Sequence, residues 1–163
     1  MIQELLPQAE RIAALLKTRN ETISVAESST AGLISAALLA VAGASAYFIG
    51  GAVVYTRASR TELLRVTEED FAALAGVTPS TEPYALLFAR KAQERLGTTW
   101  GIGETGTAGP TGSRYGDPPG HVWVAVTGPA DATRHLLTGS EDRSANMVAF
   151  ARAALGLLTE CLD

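Results

Sequence analysis

Residues 22–43 read TISVAESSTAGLISAALLAVAG, and this stretch decides the fold class. Its first half carries Ile23, Val25 and Ala26 and runs out into small residues, as a buried strand does at its carboxyl end. Its second half is rich in Ala and Leu. It predicts a helix with a Ser/Thr cap at Ser28–Thr30 and an end at Gly43. A strand that hands over to a helix through a small polar turn is the repeating unit of α/β proteins.

The same alternation extends in both directions. Upstream, PQAERIAALLKT (7–18) places Ile12, Leu15 and Leu16 at helical spacing, with Pro7 suited to a first turn. Downstream, GGAVVYT (50–56) reads as a second strand. SRTELLRV (59–66) reads as a short helix capped by Ser59, with Glu62 closing a capping box. EEDFAALAG (68–76) and EPYALLFARKAQERLG (82–97) predict two more helices, and TTWGIGETG (98–106) a third strand. HVWVAVTG (121–128) and TRHLLTG (133–139) form a predicted hairpin across PADA, and SANMVAFARAALGLLTECL (144–162) a final helix. This order predicts one domain over residues 1–163: a three-layer α/β/α sandwich around a mixed, mostly parallel sheet.

Composition narrows the function classes. The chain has 163 residues, 47% apolar and 18% charged, enough for a core and too apolar for disorder. Its net charge of −4, with scattered Lys and Arg, argues against a nucleic-acid footprint. A small anion remains an acceptable ligand, because one placed Arg or helix N-terminus holds a phosphate on an acidic protein. The single cysteine, Cys161, belongs to no metal-binding spacing and reads as packing on a helix. No signal-peptide core and no apolar run of about 20 residues stands out. The expectation is therefore a cytoplasmic protein without metal or cofactor, acting on a small molecule, with neither nucleic acid nor membrane as partner. Ala-rich helices leave a homo-oligomer open.

Three segments carry candidate chemistry. AESSTAGL (26–33) places Ser28, Ser29, Thr30 and Gly32 where a strand ends and a helix begins, a position that suits anions. ETGTAGPTGSRYGDPPG (104–120) packs five glycines and three prolines into seventeen residues after a strand, and so is placed to line a pocket. It matches neither the P-loop nor the dinucleotide fingerprint. GASAYF (43–48) holds Ser45 among small residues with no evident base. His121 and His135 fall on the predicted hairpin, and Lys17 and Lys91 on helices, away from these turns.

With these residues assembled, the chain resembles the CinA C-terminal domain family, the nicotinamide-nucleotide amidohydrolases. AESSTAGLISAAL (26–38) resembles the family stretch A-E-S-C-T-G-G-L, and TGTAGPTG (105–112) its T-G-I-A-G-P-x-G-G loop. AGASAYFIGGAVVYTRASR (42–60) resembles A-G-S-S-x-x-F-x-G-G-x-V-x-Y-S-N-x-A-K, and GSEDRSANMVAFARAAL (139–155) the terminal G-D-R-x-x-V-R helix.

The resemblance implies cleavage of the carboxamide of nicotinamide mononucleotide by a serine-based mechanism. Its catalytic serine falls on Ser45, its tyrosine on Tyr55, and its lysine on Arg60. The expected binding residues are Ser28, Ser29, Thr30, Gly32, Glu104, Gly106, Thr107, Gly109 and Arg143. A neutral lysine takes a proton, whereas a guanidinium stays protonated at every ordinary pH and has no lone pair to give. In the catalytic set of Ser45, Tyr55 and Arg60, Arg60 can therefore hold a phosphate, orient Tyr55 or stabilise an oxyanion, but not act as the base. The family cysteine is Ser29, and Met147 stands at the second arginine of the last helix. Glu104 occupies a position where an apolar or hydroxyl residue is expected, as a substitute base or a partner for Arg60. The alternative is a protein that kept the fold and binds a small molecule or nucleotide without turning it over.

Overall fold

A computed structural model describes residues 1–163. Six helices and five strands follow in the order α1 (Ile2–Arg19), β1 (Ile23–Glu27), α2 (Leu33–Leu39), β2 (Phe48–Val53), α3 (Arg57–Leu64), α4 (Glu68–Ala73), α5 (Glu82–Leu96), β3 (Trp100–Thr107), β4 (His121–Thr127), β5 (Ala132–Leu137) and α6 (Arg143–Leu162). The strands make one sheet in the order β2-β1-β3-β4-β5. β1 pairs with β2 and β3 in parallel, and β3–β4 and β4–β5 pair antiparallel. The expected mixed sandwich is present, with parallel and antiparallel pairings dividing the sheet equally.

One face of the sheet lies against α1, α2 and α6. There Leu5, Ile12, Leu16, Ile23, Trp100, Ile102, Phe150 and Leu155 close the main core. The other face lies against α5, flanked by a smaller cluster of Val54, Leu64, Val66, Tyr84 and Phe88. α6 is long and apolar enough to cross a bilayer by length and composition, with a mean hydropathy of 1.3, yet half of that window is buried within the fold. Its apolarity is that of a core helix.

Several elements depart from the sequence expectation. Pro7 lies inside α1, which starts five residues earlier, so the helix runs through it without the N–H bond that residue would otherwise make. α2 is shorter than expected, only Leu33–Leu39, and its cap is Gly32 in the left-handed region, with no hydroxyl cap. Residues 28–32 form turns instead, because their hydroxyls and N–H groups bond to buried carboxylates. α3 is capped by Thr56 with Ser59 as the reciprocal partner, so the capping box sits three residues earlier than the Ser59–Glu62 reading.

α5 reaches the sheet closely because β3 offers it glycine. A Cβ on Gly103 would lie 2.0 Å from the Ala85 carbonyl oxygen, and one on Gly101 would lie 2.2 Å from that of Ala89. Backbone atoms cannot yield as a side-chain tip can. Gly103→Ala is therefore expected to cost at least about 1–3 kcal/mol, lowering Tm by several degrees at about 2–4 °C per kcal/mol. Thermal unfolding followed by circular dichroism checks this, and an unchanged Tm contradicts the packing described.

Candidate functional site

Glu27, the last residue of β1, and Glu104, in the second half of β3, are two acids on neighbouring strands. Ala26 pairs with Gly103 in the β1–β3 register, and the next residues, Glu27 and Glu104, are neighbours on the main-core face. Both are fully buried. Such a pair is costly unless hydrogen bonds or shared protons offset it.

The turn at 28–32 supplies those bonds. Glu104 Oε2 accepts from the backbone N–H of Ser28 (2.9 Å) and of Thr30 (3.0 Å), and Ser29 Oγ donates to Oε1. Glu27 accepts from Ile34 N–H, Ser35 N–H and Ser35 Oγ. Thr30 Oγ1 lies between the two acids, 2.6 Å from Glu27 Oε2 and 2.9 Å from Glu104 Oε2. Burial pushes the Glu104 carboxyl above the usual carboxylate range, and the bonds from Ser29, Thr30 and Ser28 offset part of that rise.

Above this turn lies a cleft of about 570 Å³, within the size range of small-ligand sites. Ser28, Ser29, Gly106, Thr107 and Gly109, all expected to bind ligand, line it. Arg143 lines it too, and its Nη1 donates to the Gly109 carbonyl at 2.7 Å. Thr30, Gly32 and Glu104 are not on its wall; Thr30 and Glu104 sit beneath it as supports. Gly106 must be small, since a Cβ there would come within 2.9 Å of Ser29 Oγ.

Tyr55 and Arg60 both line the cleft. Tyr55 is 62% exposed. Arg60 lies over two aromatic rings of α5, its guanidinium carbon 5.6 Å from the Tyr84 ring centre and 5.4 Å from that of Phe88. Its Nε is buried without a partner. Burial lowers its pKa from the ordinary arginine value, with the nearby Arg57 acting in the same direction. Arg60 does not pair with Glu104, whose bonds all go to the 28–30 turn.

Ser45 is elsewhere. It stands exposed in a single 3-10 turn, Ala44–Ala46, that leads into the amino end of β2, whereas Tyr55 follows the carboxyl end of that strand. Six extended residues at about 3.3 Å each separate the two ends by roughly 20 Å. Ten residues of sequence thus conceal a whole strand, and one chain does not gather Ser45, Tyr55 and Arg60.

Sequence reasoning missed part of the wall. Arg57, Ser80, Arg114 and Tyr115 also line the cleft. Arg57 sits at the start of α3, beside residues already singled out, and Arg114 lies within the glycine-rich loop; counting cations near the candidate turns finds both. Ser80 carries no sequence signal. It is placed by its N–H bond to Thr105 Oγ1 at 3.2 Å and by its carbonyl, which accepts from His121 Nε2 at 2.7 Å. That bond and the 2.9 Å contact of His135 with His121 keep both histidines off the cleft wall.

The raised Glu104 carboxyl has a pH signature with a defined sign. Its folded pKa lies above the unfolded value of about 4.3, so its stabilising contribution is full below that value and is lost as pH rises through the folded pKa. The Tm of the wild type relative to Glu104→Gln is expected to fall between pH 4 and pH 8. A difference that stays constant, or grows, contradicts the buried, proton-binding carboxyl.

Comparison with known proteins agrees with this architecture. The family model of the CinA C-terminal domain matches residues 6–162. A CinA-like protein of Salinibacter ruber is 40% identical over 142 residues, covering 86% of this chain and 33% of the relative. One from Anaeromyxobacter sp. (strain K) is 38% identical over 151 residues, covering 91% of this chain and 36% of the relative. The chain thus spans about a third of the length of these curated relatives. Among solved structures, the competence/damage inducible protein CihA from Agrobacterium tumefaciens aligns with a TM-score of 0.85 at 30% identity, over 97% of this chain and 94% of that one. A CinA superfamily protein from Klebsiella pneumoniae aligns with a TM-score of 0.88 at 28% identity, over 97% of both chains. Sequence blocks, sheet order and these likenesses converge, and the chain belongs to the CinA C-terminal domain family.

Proposed function

We propose that this chain is a CinA-type amidohydrolase that hydrolyses the carboxamide of a small phosphorylated, nicotinamide-like ligand by serine chemistry. What supports the reading is the charge on the cleft wall. Four guanidinium groups, from Arg57, Arg60, Arg114 and Arg143, line it with no carboxylate among the lining residues, on a chain of net charge −4. Concentrating cation in one concave place on an acidic protein favours an anionic ligand. Arg60 lies against Tyr84 and Phe88 on the cleft wall, and its guanidinium makes no ion pair within the fold, which leaves its charge for a phosphate oxygen. The hydroxyls of Ser28, Ser29, Thr107 and Tyr55 supply the neutral contacts that orient an amide.

A second reading, a ligand-binding protein without turnover, draws on two observations. Ser45 stands at the far end of β2 from Tyr55 and Arg60, and Arg60 has no lone pair with which to accept a proton. Incubation with nicotinamide mononucleotide separates the two readings. Release of ammonia together with nicotinic acid mononucleotide is expected. Raised Tm without ammonia identifies a binder, and neither effect rules out this ligand class.

The clamp role has its own measurement. A charge-assisted hydrogen bond contributes about 1.5–3 kcal/mol, so Arg60→Ala is expected to raise KM about 10- to 100-fold. The phosphate-free nucleoside should lose affinity by a similar factor in the wild type and little further in Arg60→Ala. Equal sensitivity of both ligands to Arg60→Ala contradicts a phosphate contact.

A further inference from the structure

We propose that Ser29 and Glu104 are the nucleophile and general base of this cleft, an assignment that rests on the cleft being a hydrolytic site. Ser29 lines the cleft, and its hydroxyl donates inward to Glu104 Oε1. The other carboxylate oxygen is held by the N–H groups of Ser28 and Thr30 at 2.9 and 3.0 Å, so Oε1 is fixed on Ser29. Gly106 keeps the space beside Ser29 Oγ open. A nucleophile, an oriented base and a concave wall thus occur together.

The hydrogen-bond count leaves one proton to be shared between Glu27 and Glu104. Thr30 has one hydroxyl proton and contacts both Glu27 Oε2 and Glu104 Oε2. It can donate to only one of them and must accept from the other, which then carries a proton of its own. Apart from Thr30 Oγ1, each acid receives three donors: Glu27 from Ile34 and Ser35, and Glu104 from Ser28, Ser29 and the Thr30 N–H. Glu104 is the member buried against the hydroxyl that faces ligand. The titratable group near it is Glu27 of β1. Opposite it on β4 stands Val124, and the 28–30 turn brings only hydroxyls and N–H groups. Burial raises its pKa, which makes the ionised carboxylate a stronger acceptor of the serine proton.

Other candidates in the fold do not compete. Ser113 also faces the cleft and bonds to a carboxylate, Asp117 Oδ2, at 2.6 Å. Its oxygen, however, accepts from the N–H groups of Tyr115 and Asp117 at 3.1 and 3.2 Å, which occupies both lone pairs. Ser29 Oγ accepts no such bond and keeps its lone pairs for attack. Lys17 is bonded to the Ala42 carbonyl and Lys91 to Asp70, so neither replaces the base.

The reaction balances with these two groups. Ser29 Oγ attacks the amide carbon as its proton passes to Glu104. The tetrahedral intermediate collapses, the C–N bond breaks, and Glu104 returns the proton to the leaving nitrogen, giving ammonia and a Ser29 ester. Water then attacks the ester and gives a proton to Glu104. That proton returns to Ser29 Oγ as the carboxylic acid leaves.

A serine-reactive fluorophosphonate tests the assignment without reference to substrate, since it forms a P–O bond to an activated hydroxyl and expels fluoride. After labelling of the whole protein, peptide mapping by mass spectrometry is expected to place the adduct on Ser29. The labelling rate should rise with pH through one ionisation above the usual carboxylate range, and Glu104→Gln should slow it about 10²–10⁴-fold. An adduct on Ser45 or Ser113 overturns the assignment, as does absence of any adduct on Ser29. If Glu104→Gln does not fold, the pH profile of the unmodified protein decides alone, and a rate without an ionisation in that range overturns it. Ser29 labelling without ammonia from nicotinamide mononucleotide upholds the pair and rejects that substrate. Ammonia release that survives Ser29→Ala upholds the amidase and rejects the pair.

Discussion

Two carboxylates on the neighbouring strands β1 and β3, both out of water and with no cation beside them, constrain everything around them. Glu27 and Glu104 are matched by N–H and hydroxyl donors from residues 28–35, and only a tight turn followed by a short helix brings those donors together. That explains why α2 begins only at Leu33 and why the serines and threonine before it do not cap it. Their bonding capacity is committed to the acids. The turn is thereby pinned to the centre of the sheet, and the hydroxyl of Ser29 is left at the base of an arginine-lined cleft.

The cleft and the acids divide the labour by depth. Arginines stand at the wall, where a guanidinium keeps part of its hydration and meets an anion. Carboxylates stand below, where burial favours the protonated form of one of them. The two sets do not pair: Arg60 spends its flat face on Tyr84 and Phe88, and Glu104 its oxygens on the turn. An ion pair between residues 60 and 104 would have neutralised both functions. Their separation lets the wall stay cationic while the floor handles a proton.

Most of the fold was legible because its signals are local. Strand-to-helix handovers, the Glu82–Pro83 start and Gly97 stop of α5, and the hairpin across 129–132 depend on a few adjacent residues. The boundaries of α2 and α3 were not legible, because the competing partner of each hydroxyl lies far along the chain or at an equally plausible cap. The site was legible in part. Ser29, Gly106, Gly109 and Arg143 could be named from turn position and family likeness, and all reach one cleft. The grouping of Ser45 with Tyr55 and Arg60 followed family likeness, and within one chain the extended run of β2 carries those residues apart. Ser80 and the Ser29–Glu104 bond needed contacts across 25 and 75 positions of sequence, which no local pattern encodes.

The central physical claim is that Glu104 retains a proton beyond the pH at which ordinary carboxyls lose theirs, because burial strips its charged form of water. Carbon-13 NMR of the glutamate side-chain carboxyls across a pH titration tests this directly. One resonance should titrate well above the usual carboxylate range and vanish in Glu104→Gln, with the remaining spectrum preserved. If every glutamate carboxyl titrates in the ordinary range, the proton-sharing floor of the cleft does not exist.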